Sequence, residues 1–239
     1  MVTKNQIKLI SSLQQKKYRK QYGLFFVEGQ KVIQELLDSD FVLEELFVTE
    51  AIFENIAPRN IISEKDLKQI SALANPNNSL AVFRIPNEQK TQANGLILAL
   101  DSVRDPGNLG TIIRLCDWFG IKNLICSEDT VDVYNPKVLQ ATMGSITRVT
   151  INYLDLNEFL SQTELPVFGT FMEGENIYKT SLPHKGIIVL GNEANGISSA
   201  IEQSISHKIA IPRFGNPTES LNVATATAIV LSEFRRSLE

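Results

Sequence analysis

Apolar residues recur along this chain in two rhythms, a three-and-four spacing and short unbroken runs, which mark alternating helices and strands. From Asn5 to Tyr22 the pattern predicts a basic helix, followed by a short strand from Leu24 that ends in Gly29 and a helix from Gln30 to Leu37. Next come a strand at Leu43 to Thr49, a short helix near Ala51 to Asn55 and a brief strand at Asn60 to Ile62. A helix capped by Ser63, with Asp66 three residues on, leads to a strand from Ser79 to Ile85. Residues 86 to 94 are polar, contain Pro86 and lack periodicity, as a linker would. The expected domains are therefore residues 1–90 and 95–239.

The second domain alternates more regularly. Strands are expected at Leu96 to Leu100, Asn123 to Cys126, Arg148 to Ile151, Val167 to Phe171, Gly186 to Leu190 and Lys208 to Ile211. Between and after them fall helices at Thr111 to Phe119, Pro136 to Thr142, Leu156 to Gln162, a short one from Ser198, and a long one from Ser220 to Arg236. Strand-helix alternation of this kind builds an α/β domain with a mostly parallel sheet covered on both faces.

Charge changes the picture at one end only. The chain carries a formal −4, yet residues 1 to 35 hold seven Lys and Arg (Lys4, Lys8, Lys16, Lys17, Arg19, Lys20, Lys31) against Glu28 and Glu35. A basic segment on an acidic chain is an electrostatic footprint for phosphate, and Lys16, Lys17, Arg19 and Lys20 are its RNA-binding candidates. The alternative is a solvated helix face. No apolar run reaches the roughly 20 residues of a membrane span. The N-terminus lacks the apolar core of a signal peptide, so a cytoplasmic location is expected. Cys116 and Cys126 lie in apolar segments, and neither they nor His184 and His207 show metal-ligand spacing, so no metal is expected.

Three segments share one design, an apolar strand breaking into Gly, Asn and Pro before a helix: residues 105–110, 189–198 and 211–222. Glycine lets a backbone approach a ligand closely and leaves loop amides free to bind it. A dinucleotide fingerprint fails on spacing, because the run from Gly191 to Gly196 lacks the middle glycine. A phosphate-binding GKS or GKT is absent, and both His lie outside the three loops, which removes a Ser-His-Asp arrangement.

Asn108-x-Gly110-x-x-x-Arg114, Leu190-Gly-Asn-Glu193-x-x-Gly196, and Ile211-Pro with Ser220-Leu-Asn-Val223 resemble the three ordered motifs of the SpoU (TrmH-type) RNA ribose 2′-O-methyltransferases. The resemblance covers the chain from about Leu96 onward. More loosely, residues 25–37 and their basic preface resemble the small RNA-binding domain of ribosomal-RNA members. It implies a sheet with a C-terminal trefoil knot, a homodimer, S-adenosylmethionine as cofactor and RNA as partner. Ribosomal RNA is the expected substrate, transfer RNA the alternative, and a non-catalytic RNA-binding or ribosome-assembly factor the reading from another class. A nucleotide-cofactor oxidoreductase is a third and weaker one.

The resemblance also implies roles. Thr170 at the end of its strand, Leu190, Gly191, Ile211, Ser220 and Leu221 would hold the cofactor. Asn108, on a loop, and Arg114, in a first helical turn, would face the RNA. Family proposals make this Arg the base, but a protonated guanidinium has no free lone pair, so charge stabilisation and orientation are the expected role. Glu193 would order its own loop and Arg114, and Asn222 would fix substrate or loop geometry. The alternative for Asn222 is helix capping, and Ser220 is the candidate N-cap of the last helix. The loop from Ile211 to Leu221 is one residue longer than the common family form and includes Pro217, Thr218 and Glu219.

Overall fold

The computed structural model describes residues 1–87, 95–215 and 220–236. The expected linker lies largely outside these residues, as do Pro217, Thr218 and Glu219. The chain forms two compact units.

The first unit comprises Met1–Asn87 together with Asp132–Thr147. Its N-terminal basic stretch is two helices rather than one, α1 (Lys4–Ser12) and α2 (Lys16–Tyr22). Thr3 opens α1 with a reciprocal capping box to Gln6, and Gly23 ends α2 at a φ of 64°, where glycine is unstrained. The break falls where Leu13 turns fully into the core, and the carbonyls it frees find a donor in Arg19. Arg19 Nη1 donates to Leu13 O at 2.7 Å and Gln14 O at 2.9 Å, while Nε donates to Asp132 Oδ2 at 2.9 Å.

That geometry corrects one expectation. Arg19 is 2% exposed and spends its donors on the protein, so it is not an RNA contact. Truncating one partner of a buried ion pair leaves the other uncompensated. Arg19→Ala should therefore lower stability by about 3 kcal/mol or more in urea unfolding. A change below about 1 kcal/mol, the scale of surface pairs, would show the pair to be solvent-screened.

Strands β1 (Leu24–Glu28), β2 (Leu43–Val48), β3 (Arg59–Ile61) and β4 (Ser79–Arg84) form a sheet in the order β1-β4-β2-β3. Pairing is antiparallel except between β2 and β3. Helices α3 (Gln30–Leu37) and α4 (Glu64–Ile70) complete this part, α4 capped by Ser63 as expected. Ile10, Leu13, Phe26, Phe47, Leu67 and Leu80 share one core cluster. The helix expected near Ala51 to Asn55 does not form, and only turns occur there. Five residues without a side-chain cap repay helix nucleation poorly.

Residues 132–147, expected in the second domain, pack with the first unit. Helix α6 (Pro136–Thr142), capped by Asn135, follows Tyr134, whose ring lies 4.7 Å from that of Phe25.

The second unit holds β5 (Leu96–Leu100), α5 (Pro106–Trp118), β6 (Asn123–Ser127), β7 (Thr150–Leu154), α7 (Leu156–Ser161), β8 (Val167–Asn176), β9 (Gly186–Leu190), α8 (Ser199–Glu202), β10 (His207–Ala210) and α9 (Val223–Arg236). The sheet order is β10-β8-β9-β5-β6-β7, and every neighbouring pair is parallel. β5 and β9 are buried along their whole length, which explains their unbroken apolar runs. From β5 the chain builds outward through β6 and β7, then returns to build the other side. The crevice beyond the carboxyl ends of β5 and β9 is thus the switch point where open parallel sheets bind ligands.

Candidate active site

Helix α5 starts five residues earlier than its apolar spacing suggested. Asp105 is its N-cap, with Oδ1 accepting the Asn108 N–H at 2.7 Å, and Pro106 occupies the first turn, where its missing N–H costs nothing. Asn108 therefore sits in the first helical turn rather than on a loop, and Arg114 two turns further along. The Asp-Pro pair was the sequence signal for this start.

The turn aims Asn108 at two other segments. Its Nδ2 donates to Glu193 Oε1 at 2.7 Å, and its Oδ1 accepts from Asn222 Nδ2 at 2.9 Å. Residues expected in the catalytic set from three separate segments are thus joined in one hydrogen-bonded chain. Asn222 plays the capping part as well, its Oδ1 accepting the N–H of Ala224 at 3.0 Å and of Thr225 at 3.2 Å. Helix α9 accordingly begins at Val223, and Ser220 is not its cap. At the other end of the pair, Arg235 Nε donates to Phe119 O at 2.8 Å. α5 and α9 are therefore tied at both ends and run side by side in the same direction.

Arg114 is exposed and has no hydrogen-bond or ion-pair partner among the described residues. Glu193 bonds Asn108 and not Arg114, which corrects the expectation that it orders the arginine. An exposed guanidinium with no partner among the described residues is a donor fork available to an anionic ligand.

The loop after β9 is closed on itself. Asn192 and Gly196 exchange backbone hydrogen bonds of 3.0 and 2.8 Å. A Cβ on Gly191 would lie 2.1 Å from the Gly196 carbonyl carbon and 2.2 Å from the Ile197 nitrogen, so only glycine fits. Asp101 and Ser102, not singled out from sequence, anchor this loop from the end of β5.

The residues expected on the cofactor divide. The backbone groups of Gly191, Ile211 and Leu221 have no hydrogen-bond partner among the described residues. Ile211 is half-buried, and Ser220 and Leu221 are exposed. Thr170 donates from Oγ1 to Val189 O at 3.2 Å, but it is not at a strand end, because β8 continues to Asn176. It marks where β8 leaves β9: pairing with β9 stops at Gly169, and the register with β10 jumps from Gly169 to Glu175. Leu190 is 1% exposed and its carbonyl accepts the Asp101 N–H at 2.9 Å, so it packs beneath the loop rather than offering a contact.

Cys116 and Cys126 are buried, and burial pushes both thiols well above their ordinary pKa, which fits core packing rather than nucleophilic work. His207 stacks on Phe168 at 4.7 Å. Among the described residues no cluster of His, Cys, Asp or Glu could hold a metal, and no helix is long and apolar enough to cross a membrane.

Comparison with known proteins places this geometry. The SpoU rRNA Methylase family model matches residues 95–232, and an MRM3-like substrate binding domain model matches residues 4–81. The chain is 28% identical over 245 residues to the 23S rRNA (guanosine(2553)-2′-O)-methyltransferase RlmP of Bacillus subtilis, covering 97% of each. A solved structure from Porphyromonas gingivalis, assigned to the TrmH family, is 39% identical with a TM-score of 0.92 over 99% of each chain. An AdoMet-bound rRNA methyltransferase from Sinorhizobium meliloti is 29% identical with a TM-score of 0.89, over 100% of this chain and 97% of that one.

Proposed function

This chain belongs to the SpoU rRNA methylase family, and from that premise we propose that it transfers a methyl group from S-adenosylmethionine to a ribose 2′-hydroxyl of RNA, with ribosomal RNA as substrate. The observation that carries the reading is the chain Glu193–Asn108–Asn222, which draws one polar residue from each motif to the switch point of the sheet. The relative RlmP, matched along nearly its whole length, is named for a 23S rRNA guanosine, which favours ribosomal over transfer RNA.

The residues present fit the cofactor. Backbone donors and acceptors at Gly191, Ile211 and Leu221, without partners among the described residues, suit the edge of an adenine and the hydroxyls of its ribose. When bound, S-adenosylmethionine supplies the electrophilic methyl. The trefoil knot implied by the family resemblance belongs to this reading, as do a homodimer and a cytoplasmic location.

On the RNA side, Asn108 is fixed by a carboxylate on one side and an amide on the other. Its rotamer is set before substrate arrives, so little ordering remains at the moment of reaction. Arg114 reaches the 2′ oxygen or a neighbouring phosphate. Its guanidinium steadies the negative charge that develops as the hydroxyl loses its proton, and orients that oxygen. A protonated guanidinium donates only, so the proton released from the hydroxyl passes to solvent water.

Lys16, Lys17 and Lys20 are exposed on α2, with Lys17 Nζ 4.6 Å from the centre of the Tyr18 ring. We assign them to phosphate contacts. Replacing all three with Ala should weaken RNA binding and reduce the slope of log affinity against log salt by about 3, one per lost contact. An unchanged slope in filter-binding titrations would make them a solvated helix face.

The direct test is methyl transfer from labelled S-adenosylmethionine to RNA from a strain lacking the gene. Label on ribose 2′ oxygens of ribosomal RNA supports the reading, and label confined to transfer RNA replaces the substrate. Cofactor binding without any transfer favours the non-catalytic RNA-binding factor.

A further inference from the structure

We propose that Asp101, acting with Ser102, is a positioning residue for methyl transfer: it clamps both ends of the loop that carries Glu193, and so sets where Asn108 is held. The inference rests on the methyltransferase reading and adds to it a residue that touches neither cofactor nor RNA.

Asp101 is 5% exposed at the carboxyl end of β5. Its Oδ2 accepts the Ser198 N–H at 2.7 Å, at the far end of the loop, and its Oδ1 accepts the Ser102 hydroxyl at 3.2 Å. Ser102 takes the near end: its carbonyl accepts Asn192 Nδ2 at 2.7 Å. To turn that carbonyl toward Asn192, Ser102 adopts a φ of 59°, a left-handed conformation uncommon for a residue with a side chain. The backbone is held there from below, with the Ser102 N–H donating to Ser127 Oγ at 2.8 Å. Ser127 in turn lies 3.2 Å from the hydroxyl of buried Thr130. Such strain persists only where the surroundings over-determine it, and it clusters at functional sites.

Between the two clamped ends stands Glu193, with Oε1 on Asn108. The Asn192–Gly196 bonds fix the internal shape of the loop, and Asp101 and Ser102 fix its height above the sheet. Gly191 has a further support: it follows β9 directly, and the pairing of Leu190 with Leu100 holds that strand end without the Asp101 side chain. Loss of the clamp should therefore move Glu193 and Asn108 more than it disturbs the cofactor side.

The test is a cycle of Asp101→Ala and Glu193→Ala in the full-length protein, reading single-turnover methyl transfer at saturating S-adenosylmethionine and RNA, and cofactor affinity by calorimetry. Wild-type transfer establishes the underlying reading independently of the cycle. Asp101→Ala should slow transfer about 10- to 100-fold, the effect of a small misplacement remote from the chemistry. Cofactor affinity should change far less. In the Glu193→Ala background the same substitution should add little, because its effect has already been removed. Asp101→Asn should recover most of the rate, since its amide oxygen accepts the Ser198 N–H while its nitrogen donates to the Ser102 hydroxyl. If Asp101→Ala does not fold, Ser198→Pro deletes the same bond from the donor side, at a φ of −66° that proline adopts. Additive losses in the cycle, or a wild-type rate in Asp101→Ala, would overturn the proposal. So would a loss confined to cofactor affinity.

Discussion

Arg114→Ala is expected to slow methyl transfer by about 10²- to 10³-fold while leaving S-adenosylmethionine affinity within a few-fold. The separation follows from its place. Arg114 stands two turns along α5 from Asn108, exposed and unpaired among the described residues, whereas the backbone groups assigned to the cofactor belong to the loops after β9 and β10. In the role proposed for it, Arg114 donates to developing charge, and removing it leaves those loops in place. Arg114→Lys should restore only part of the rate, because an ammonium lacks the planar fork that engages two oxygens together. Single-turnover rates with calorimetric cofactor affinities check both statements. A rate within a few-fold of wild type in Arg114→Ala would remove the arginine from the mechanism.

Gly191→Ala should have an equally large effect of the opposite kind, with cofactor affinity falling by about 100-fold or more. A methyl group would sit 2.1 Å from the Gly196 carbonyl carbon and 2.4 Å from its oxygen, contacts that only backbone movement can relieve. That movement breaks the two Asn192–Gly196 hydrogen bonds, which hold the loop closed. At about 1 kcal/mol each, their loss together with the steric strain gives about 3 kcal/mol, or a factor of roughly 100 in affinity. Wild-type affinity in Gly191→Ala would show that the loop opens without consequence and that its backbone is not a cofactor contact. Because the same two bonds shape the loop that carries Glu193, Gly191→Ala should lower transfer as well as affinity, whereas Arg114→Ala should be read in transfer alone.

Local signals in the sequence located most of the second unit. The unbroken runs of β5 and β9 mark fully buried central strands, and α7 begins at Leu156, where the expected helix begins. Errors occurred where two signals competed. Apolar spacing put the start of α5 at Thr111, but Asp105 and Pro106 are a stronger local instruction, and they carry Asn108 into the helix. Ser220 looked like a cap for α9 until Asn222 took that role while also donating to Asn108.

Long-range partners were not legible at all. Arg19 reads as one more cation in a basic run. Its burial depends on Asp132, 113 residues away, and no local pattern announces that pairing. The same holds for residues 132–147, which follow the strand-helix alternation of the second unit yet pack with the first. In the active site the motifs named Asn108, Glu193 and Asn222 separately, and their joining by two hydrogen bonds emerged only from the fold. Asp101 and Ser102 went unremarked because a buried carboxylate and a left-handed serine carry no sequence signature beyond their residue types.

The central claim, that this chain methylates ribose in ribosomal RNA, is tested most directly by mapping 2′-O-methylation across all stable RNAs in cells with and without its gene. The account predicts loss of methylation at a ribosomal RNA position, restored by the wild-type gene and not by one encoding Arg114→Ala. Identical methylation maps in the two strains, or restoration by Arg114→Ala as complete as by wild type, would contradict it.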